Sequence, residues 1–222
     1  MRICHTSDNH GHIGKLYGKY DIVLNTGDFF PNSHHAKNGD RVREAKFQLQ
    51  WLRDSIPYIN EQLGSHPFLY VPGNHDYMHP HTVEFELQSA GVEAYCISDR
   101  LFTFSGVNFY GFPYVPYIDG SYNYERHLPE MQEEIDKMVE ILNSTHVDVL
   151  ACHAPPYMTL DLNFTNERFG NTALSNALDY KINKNMMPST LLFGHVHDPY
   201  GMTMRDGVLC VNSATTQHIV EI

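Results

Sequence analysis

Short apolar runs, each closing on a polar phrase, set the rhythm of this chain. Arg2 to Ser7 alternates loosely into Asp8, Ile22 to Thr26 ends at Gly27-Asp28, and Phe68 to Val71 ends at Pro72-Gly73-Asn74-His75-Asp76. Val147 to Ala151 then runs into Cys152-His153, and Thr190 to Phe193 into Gly194-His195. Runs this short, bounded by turn residues, predict strands. From Asp40 the pattern lengthens: Val42, Ala45, Phe47, Leu49, Trp51, Leu52 and Ile56 predict an amphipathic helix with Asp40 as N-cap and a break or kink near Pro57. Further helices are predicted over Thr82 to Ala90, closed by Gly91, over Pro129 to Leu142 and over Thr172 to Ile182.

Between Glu93 and Phe112 short β segments with turn signals at Ser98-Asp99 and Ser105-Gly106 predict antiparallel hairpins and the start of a second sheet. Gly111 to Arg126 reads as a Pro- and Tyr-rich loop and Ala154 to Gly170 as an irregular one. Tyr200 to Met204 and Val208 to Asn212 predict a hairpin about Asp206-Gly207. With no internal repeat or linker, the expectation is one α/β domain over residues 1–222.

Composition narrows the function classes. A 222-residue chain with 42% hydrophobic residues can bury a full core. No stretch approaches the roughly 20 apolar residues of a membrane span, and the opening residues enter a strand without a signal-peptide pattern, so a cytoplasmic protein is expected. Cys4, Cys96, Cys152 and Cys210 lie far apart inside apolar segments, as small reduced core residues do. A net charge of −11 disfavours a surface for long nucleic acid. Oligomeric state is left open.

The polar phrases carry the chemistry. Asp8, His10, Asp28, Asn74, His153, His195 and His197 are seven potential metal ligands, each just beyond an expected strand. Open α/β sheets place their sites in the crevice beyond the strand carboxyl ends. Aspartate, histidine and one asparagine, without thiolate, suit hard to borderline divalent ions, and a catalytic pair fits better than a structural site. The ten histidines outside these phrases are expected to be structural or on the surface, with His79 and His81 the nearest to the expected pocket rim.

The ordered set Asp8-x-His10, Gly27-Asp28, Gly73-Asn74-His75-Asp76, His153 and Gly194-His195-x-His197 resembles the calcineurin-like metallophosphoesterase superfamily. Tyr17 to Asp21, Gly111 to Tyr117, His153-Ala154-Pro155-Pro156 and Asp198-Pro199-Tyr200-Gly201 are similar to the metallophosphoesterase-domain-containing proteins and the class III cyclic-nucleotide phosphodiesterases. The resemblance implies a four-layer α/β/β/α sandwich of two mixed sheets flanked by helices. It implies that Asp8, His10, Asp28 and His197 hold one divalent ion and Asp28, Asn74, His153 and His195 a second, with Asp28 bridging. Mn²⁺ is the leading ion, with Fe, Zn, Ni or Mg as alternatives.

The resemblance further implies that a hydroxide shared by the metals attacks phosphorus in line, that His75 contacts the phosphate and protonates the leaving oxygen, and that Asp76 orients His75. Some similar proteins lack the first histidine of Gly-His-x-His; His195 is present here. The expected function is therefore hydrolysis of a small phosphodiester, with cyclic nucleotides the leading class. The alternatives are a phosphomonoesterase, a nuclease, or a metal- or nucleotide-binding module. A nuclease is disfavoured by the acidic balance and by the absence of a capping segment after the last ligand.

Substrate contacts are expected from Asn9 and Asn32, beside the ligands, and from Tyr114 and Tyr117, in the loop with Tyr122 and Tyr124. These aromatic side chains could stack on a base or aryl group, with loop packing as the alternative. Arg126 is a candidate phosphate contact, and Lys15, Lys19 and Arg168 are candidates for the rim.

Overall fold

The inner strands are buried on both faces, and their side chains sort by alternation into a shared inner core and two outer ones. Ile3, Leu24, Leu69, Val149, Ala151, Leu192 and Val211 point one way and pack together. Their neighbours Cys4, Val23, Phe68 and Tyr70 point outward to one set of helices, while Leu150, Cys152, Leu191, Phe193 and Cys210 point to another. A period of two along doubly buried strands yields continuous apolar runs, as the sequence shows.

A computed structural model describes residues 1–198 and 200–222, so Pro199 of the Asp198-Pro199-Tyr200-Gly201 phrase lies outside the described residues. The first half runs β1 (Arg2–Thr6), β2 (Ile22–Asn25), α1 (His34–Lys37), α2 (Arg41–Leu63), β3 (Phe68–Tyr70), α3 (Pro80–Ser89) and β4 (Ala94–Cys96). Next come β5 (Leu101–Phe104), β6 (Val107–Phe112), β7 (Val115–Pro116), β8 (Glu125–Arg126) and α4 (Leu128–Ser144). The chain closes with β9 (Val149–Cys152), α5 (Thr172–Tyr180), β10 (Thr190–Phe193), β11 (Gly201–Arg205), β12 (Val208–Asn212) and β13 (Gln217–Glu221).

One sheet has the order β13-β1-β2-β3-β4 and the other β11-β12-β10-β9-β6-β5. The inner pairs are parallel, whereas β13, β11 and β5 lie antiparallel at edges. Helices α2 and α3 cover the first sheet and α4 and α5 the second, giving the expected α/β/β/α sandwich. No described helix is long and apolar enough to cross a membrane.

Helix α2 departs from the expected pattern. It continues through Pro57 to Leu63, because Ile59 and Leu63 extend its buried stripe, and Gly64 caps it at φ 60°. That stripe is Glu44, Gln48, Leu52, Ile59 and Leu63, whereas Val42 is exposed. Glu44 earns its burial by accepting from the backbone of Ser33 and Ala36 at 2.7 and 2.9 Å.

The segment after α3 is also corrected. β4 pairs parallel with β3 and completes the first sheet, so the second sheet begins at β5 rather than at Glu93. The strand–helix–strand unit β3-α3-β4 brings its second strand back in parallel. The β5–β6 hairpin turns at Ser105-Gly106 as expected. β13 carried no sequence signal because Val220 is its one buried residue.

Candidate metal centre

Five polar phrases meet at one end of the sandwich because β1, β2 and β3 of one sheet and β9 and β10 of the other deliver them there. The loops are then tied to each other: Asp8 N donates to the Gly27 carbonyl at 2.8 Å, and Gly194 N to that of His153 at 3.0 Å. His195 N donates to Asp8 Oδ2 at 2.8 Å, which joins the two sheets across the site. The turns are sharp. Asp8, His10, Asp28 and His195 hold φ values of 55°, 44°, 52° and 67°, the left-handed region that costs a non-glycine residue on the order of 1 kcal/mol each.

Two glycines make the close approach feasible. A Cβ on Gly194 would overlap Ser7 Oγ and Asp8 Oδ2, and one on Gly73 would overlap Asp28 Oδ1 and its backbone nitrogen.

All seven expected ligands are brought together. Asp28 Oδ2 lies 3.4 Å from His153 Nε2 and 3.9 Å from His10 Nε2. Asp8 Oδ1 lies 3.2 Å from His197 Nε2. Asn74 Oδ1 lies 3.0 Å from both His153 Nε2 and His195 Nδ1. Two groups with mutually close ligand atoms are Asp8–His10–His197 and Asp8–Asp28–His153.

The electrostatics calls for more positive charge than the chain supplies. Asp8 and Asp28 are each 2% exposed. Burial by itself would raise Asp28, but the facing His153, His75 and His10 hold it well below the usual carboxylate range. Burial would lower His153, yet the charge of Asp28 and its hydrogen bond raise it to about 9. His195 is lowered to about 4, first by burial and then by the charge of His153. Two buried anions thus favour the protonated form of a fully buried imidazole, and a divalent cation would compete with that proton.

The donor set fits such ions. His153 Nδ1 lies 2.7 Å from the Thr26 carbonyl, which can only accept, so Nδ1 carries the hydrogen and the Nε2 lone pair of the neutral ring faces the cluster. The carboxylates, the Asn74 amide and the imidazoles are hard to borderline donors.

His75 stands at the mouth of the site. Its backbone nitrogen donates to Asp28 Oδ1 at 2.7 Å, and its ring lies 5.2 Å from that of His10 and 4.7 Å from that of Tyr122. Asp76 does not orient it, which corrects the sequence expectation. The Asp76 carboxylate turns into the loop, accepting from Gly73 N at 2.8 Å and Phe30 N at 3.2 Å. Burial and then the charge of Asp28 raise that carboxyl to about 7. Among the described residues, the buried Nδ1 of His75 has no hydrogen-bond partner.

The expected substrate contacts fare unevenly. Tyr114 is buried, its hydroxyl bonded to Asp99 at 2.9 Å and its ring 4.5 Å below Arg126, so both are packing residues. Tyr117 stacks on His127 at 3.9 Å and does not line the cleft. Asn9 turns away to accept from Asn25 at 2.8 Å. Asn32 donates to the His75 carbonyl at 3.2 Å and lines a neighbouring depression. Arg168 pairs with Asp161. His79 caps α3, accepting from His81 N at 3.3 Å.

The cleft above the ligands holds about 450 Å³ and is walled by Ile118, Tyr122, Phe164, Phe169 and Asp198. Phe164 and Phe169 carried no periodic signal, lying in an irregular loop. Gln48 was likewise overlooked, although a polar residue on a helix's buried stripe is a legible cue.

The profile of the calcineurin-like phosphoesterase family matches residues 1–199. The chain belongs to this family. The match takes in every phrase of the ligand cluster, including the two groups whose donors lie close enough to hold a metal ion. The chain is 26% identical to human metallophosphoesterase domain-containing protein 1 across 90% of its own length and 61% of that relative's. It is 28% identical to a UPF0046 protein of Caenorhabditis elegans, covering 87% of this chain and 62% of the other. The chain therefore spans about three fifths of the length of these relatives. In fold it is similar to TT1561 of Thermus thermophilus, with a TM-score of 0.59 and 12% identity over 99% of this chain and 97% of that one.

Proposed function

We propose that the chain is a dinuclear metal-dependent phosphodiesterase acting on small phosphodiesters, with cyclic nucleotides the leading substrate class. One observation carries this reading: a single buried oxygen, Asp28 Oδ2, lies 3.4 Å from His153 Nε2 and 3.9 Å from His10 Nε2, and each of these histidines belongs to a different cluster of donors. Asp8, His10, Asp28 and His197 would hold one ion, and Asp28, Asn74, His153 and His195 the other. When bound, two such ions supply positive charge to phosphate oxygens and lower the pKa of water. Mn²⁺ is the first ion to load, ahead of Fe, Zn, Ni or Mg.

The chain's own residues supply the rest. Asp28 holds the His75 backbone through Oδ1 and so fixes the imidazole at the cleft mouth. From there His75 can contact a phosphate oxygen and deliver a proton to the departing alkoxide. The half-open cleft admits a ligand of nucleotide size. Four free, buried cysteines fit a reducing compartment such as the cytoplasm.

The test is metal analysis of the purified protein with Mn²⁺-dependent assays of bis-p-nitrophenyl phosphate and its monoester. Two metals per chain with diester preference are expected. Monoester preference would replace the reading with a phosphatase, and two metals without turnover would replace it with a binding module.

A further inference from the structure

We infer that the loop from Asn163 to Phe169 is a specificity element. Together with Tyr122 it selects esters that carry a single phosphate and one flat aromatic group, a nucleobase being the favoured one. The inference rests on the phosphoesterase reading of the neighbouring ligands.

The loop is built to hold a shape. Asn163 Oδ1 accepts from Thr165 N at 2.9 Å and Glu167 N at 2.8 Å, Leu162 and Arg168 form an antiparallel bridge, and Phe169 N donates to the Asp161 carbonyl at 3.0 Å. Arg168 pairs with the fully buried Asp161 beneath it. At the tip, Phe164 N donates to Asp198 Oδ2 at 3.2 Å, which ties the loop to the residue after His197. This braced loop leaves Phe164 81% exposed and Phe169 42% exposed, and both line the cleft that contains His75 and the ligands. With the backbone held this way, a flat group can stack on the exposed phenyl ring without the cost of ordering the loop, and such stacking contributes about 1–3 kcal/mol per base. Tyr122, already beside His75, lines the same cleft.

Charge sets the other limit. No Lys or Arg is among the described residues lining the cleft, and Asp198 adds a carboxylate to it. One phosphate is served by the ligand cluster. A second would meet no cation and one anion.

Calorimetry on the full Mn²⁺-loaded chain tests the element without requiring turnover. AMP should bind about tenfold more tightly than inorganic phosphate and more tightly than ADP. Phe164→Ala should lower AMP affinity about tenfold and bring the AMP-to-phosphate ratio toward one, and Phe164→Leu, apolar but not flat, should do nearly the same. Equal affinities for AMP and phosphate in the wild type, or parallel losses for both in the variants, would overturn the inference. Phenyl phosphate separates the two sources of a ring: weaker binding than AMP supports the nucleobase, and equal binding overturns it in favour of a simple aryl ester. A preserved AMP preference without hydrolysis of 2′,3′-cyclic AMP would overturn the phosphodiesterase reading alone.

Discussion

The Gln48 amide donates to the His75 backbone carbonyl at 2.7 Å while its Oε1 accepts from Tyr77 N at 2.7 Å, so one buried side chain of α2 clamps the loop on both sides of Asp76. Gln48→Leu would leave a carbonyl and an amide without this partner and should cost about 1–3 kcal/mol of stability. Because the clamp positions His75, kcat should fall more than metal content does. Denaturant melts paired with metal analysis check this. Unchanged kcat in a destabilised variant would reduce Gln48 to a packing role.

Asp28 Oδ2 lies 3.4 Å from His153 and 3.9 Å from His10, one histidine of each donor group, so under the proposed bridging role Asp28→Ala should lose both ions and activity together. Chelator should lower the melting temperature of the wild type and leave that of Asp28→Ala nearly unmoved. Normal turnover by a metal-replete variant would contradict the shared assignment.

His75→Ala removes the proposed proton donor but none of the seven proposed ligands. Metal stoichiometry should hold, while kcat falls roughly 10²–10⁴-fold on esters with poor leaving groups and less on p-nitrophenyl esters. Equal losses on both substrates would argue against a proton-donor role.

Acid sensitivity should track His5. Burial, then the nearby His218, lowers His5 from 6.5 to about 3, while its ring bonds Thr26 Oγ1 at 2.9 Å and Ser213 Oγ at 2.7 Å. Below pH 6.5 the unfolded chain takes up a proton that the folded chain refuses, so this contribution to stability is intact above that pH and is lost toward pH 3. Between pH 7 and 5 the stability difference between wild type and His5→Gln should shrink by roughly 2 kcal/mol. A pH-independent difference would show that His5 is not the group responsible.

Gly194→Ala places a methyl group into Ser7 Oγ and Asp8 Oδ2. Backbone movement there should cost about 1–3 kcal/mol and displace Asp8. Weakened metal retention, read by competition with a chelator, is the expected outcome. Wild-type retention would mean that the loops shift freely.

The sequence announced the ligand phrases because each follows a doubly buried strand, and a strand end is the one place where an apolar run must stop. It was mute where tertiary contact decides. Asp76 sits beside His75 in sequence but bonds Gly73 and Phe30, since the loop needed its carboxylate as an acceptor. Tyr114 and Tyr122 belong to one Tyr-rich loop, yet the first packs under Arg126 and the second reaches His75. Val220 alone could not announce β13, which became a strand by pairing with β1.

The left-handed backbone at Asp8, His10, Asp28 and His195 has a practical consequence. Any redesign scored on backbone fit alone would count these four among its candidates for replacement by glycine, and the variants would shed proposed metal donors along with the strain. Robustness and chemistry compete at the same four Cα atoms, so an engineering campaign on this chain must exempt them and seek its gains on α2 and the sheet edges.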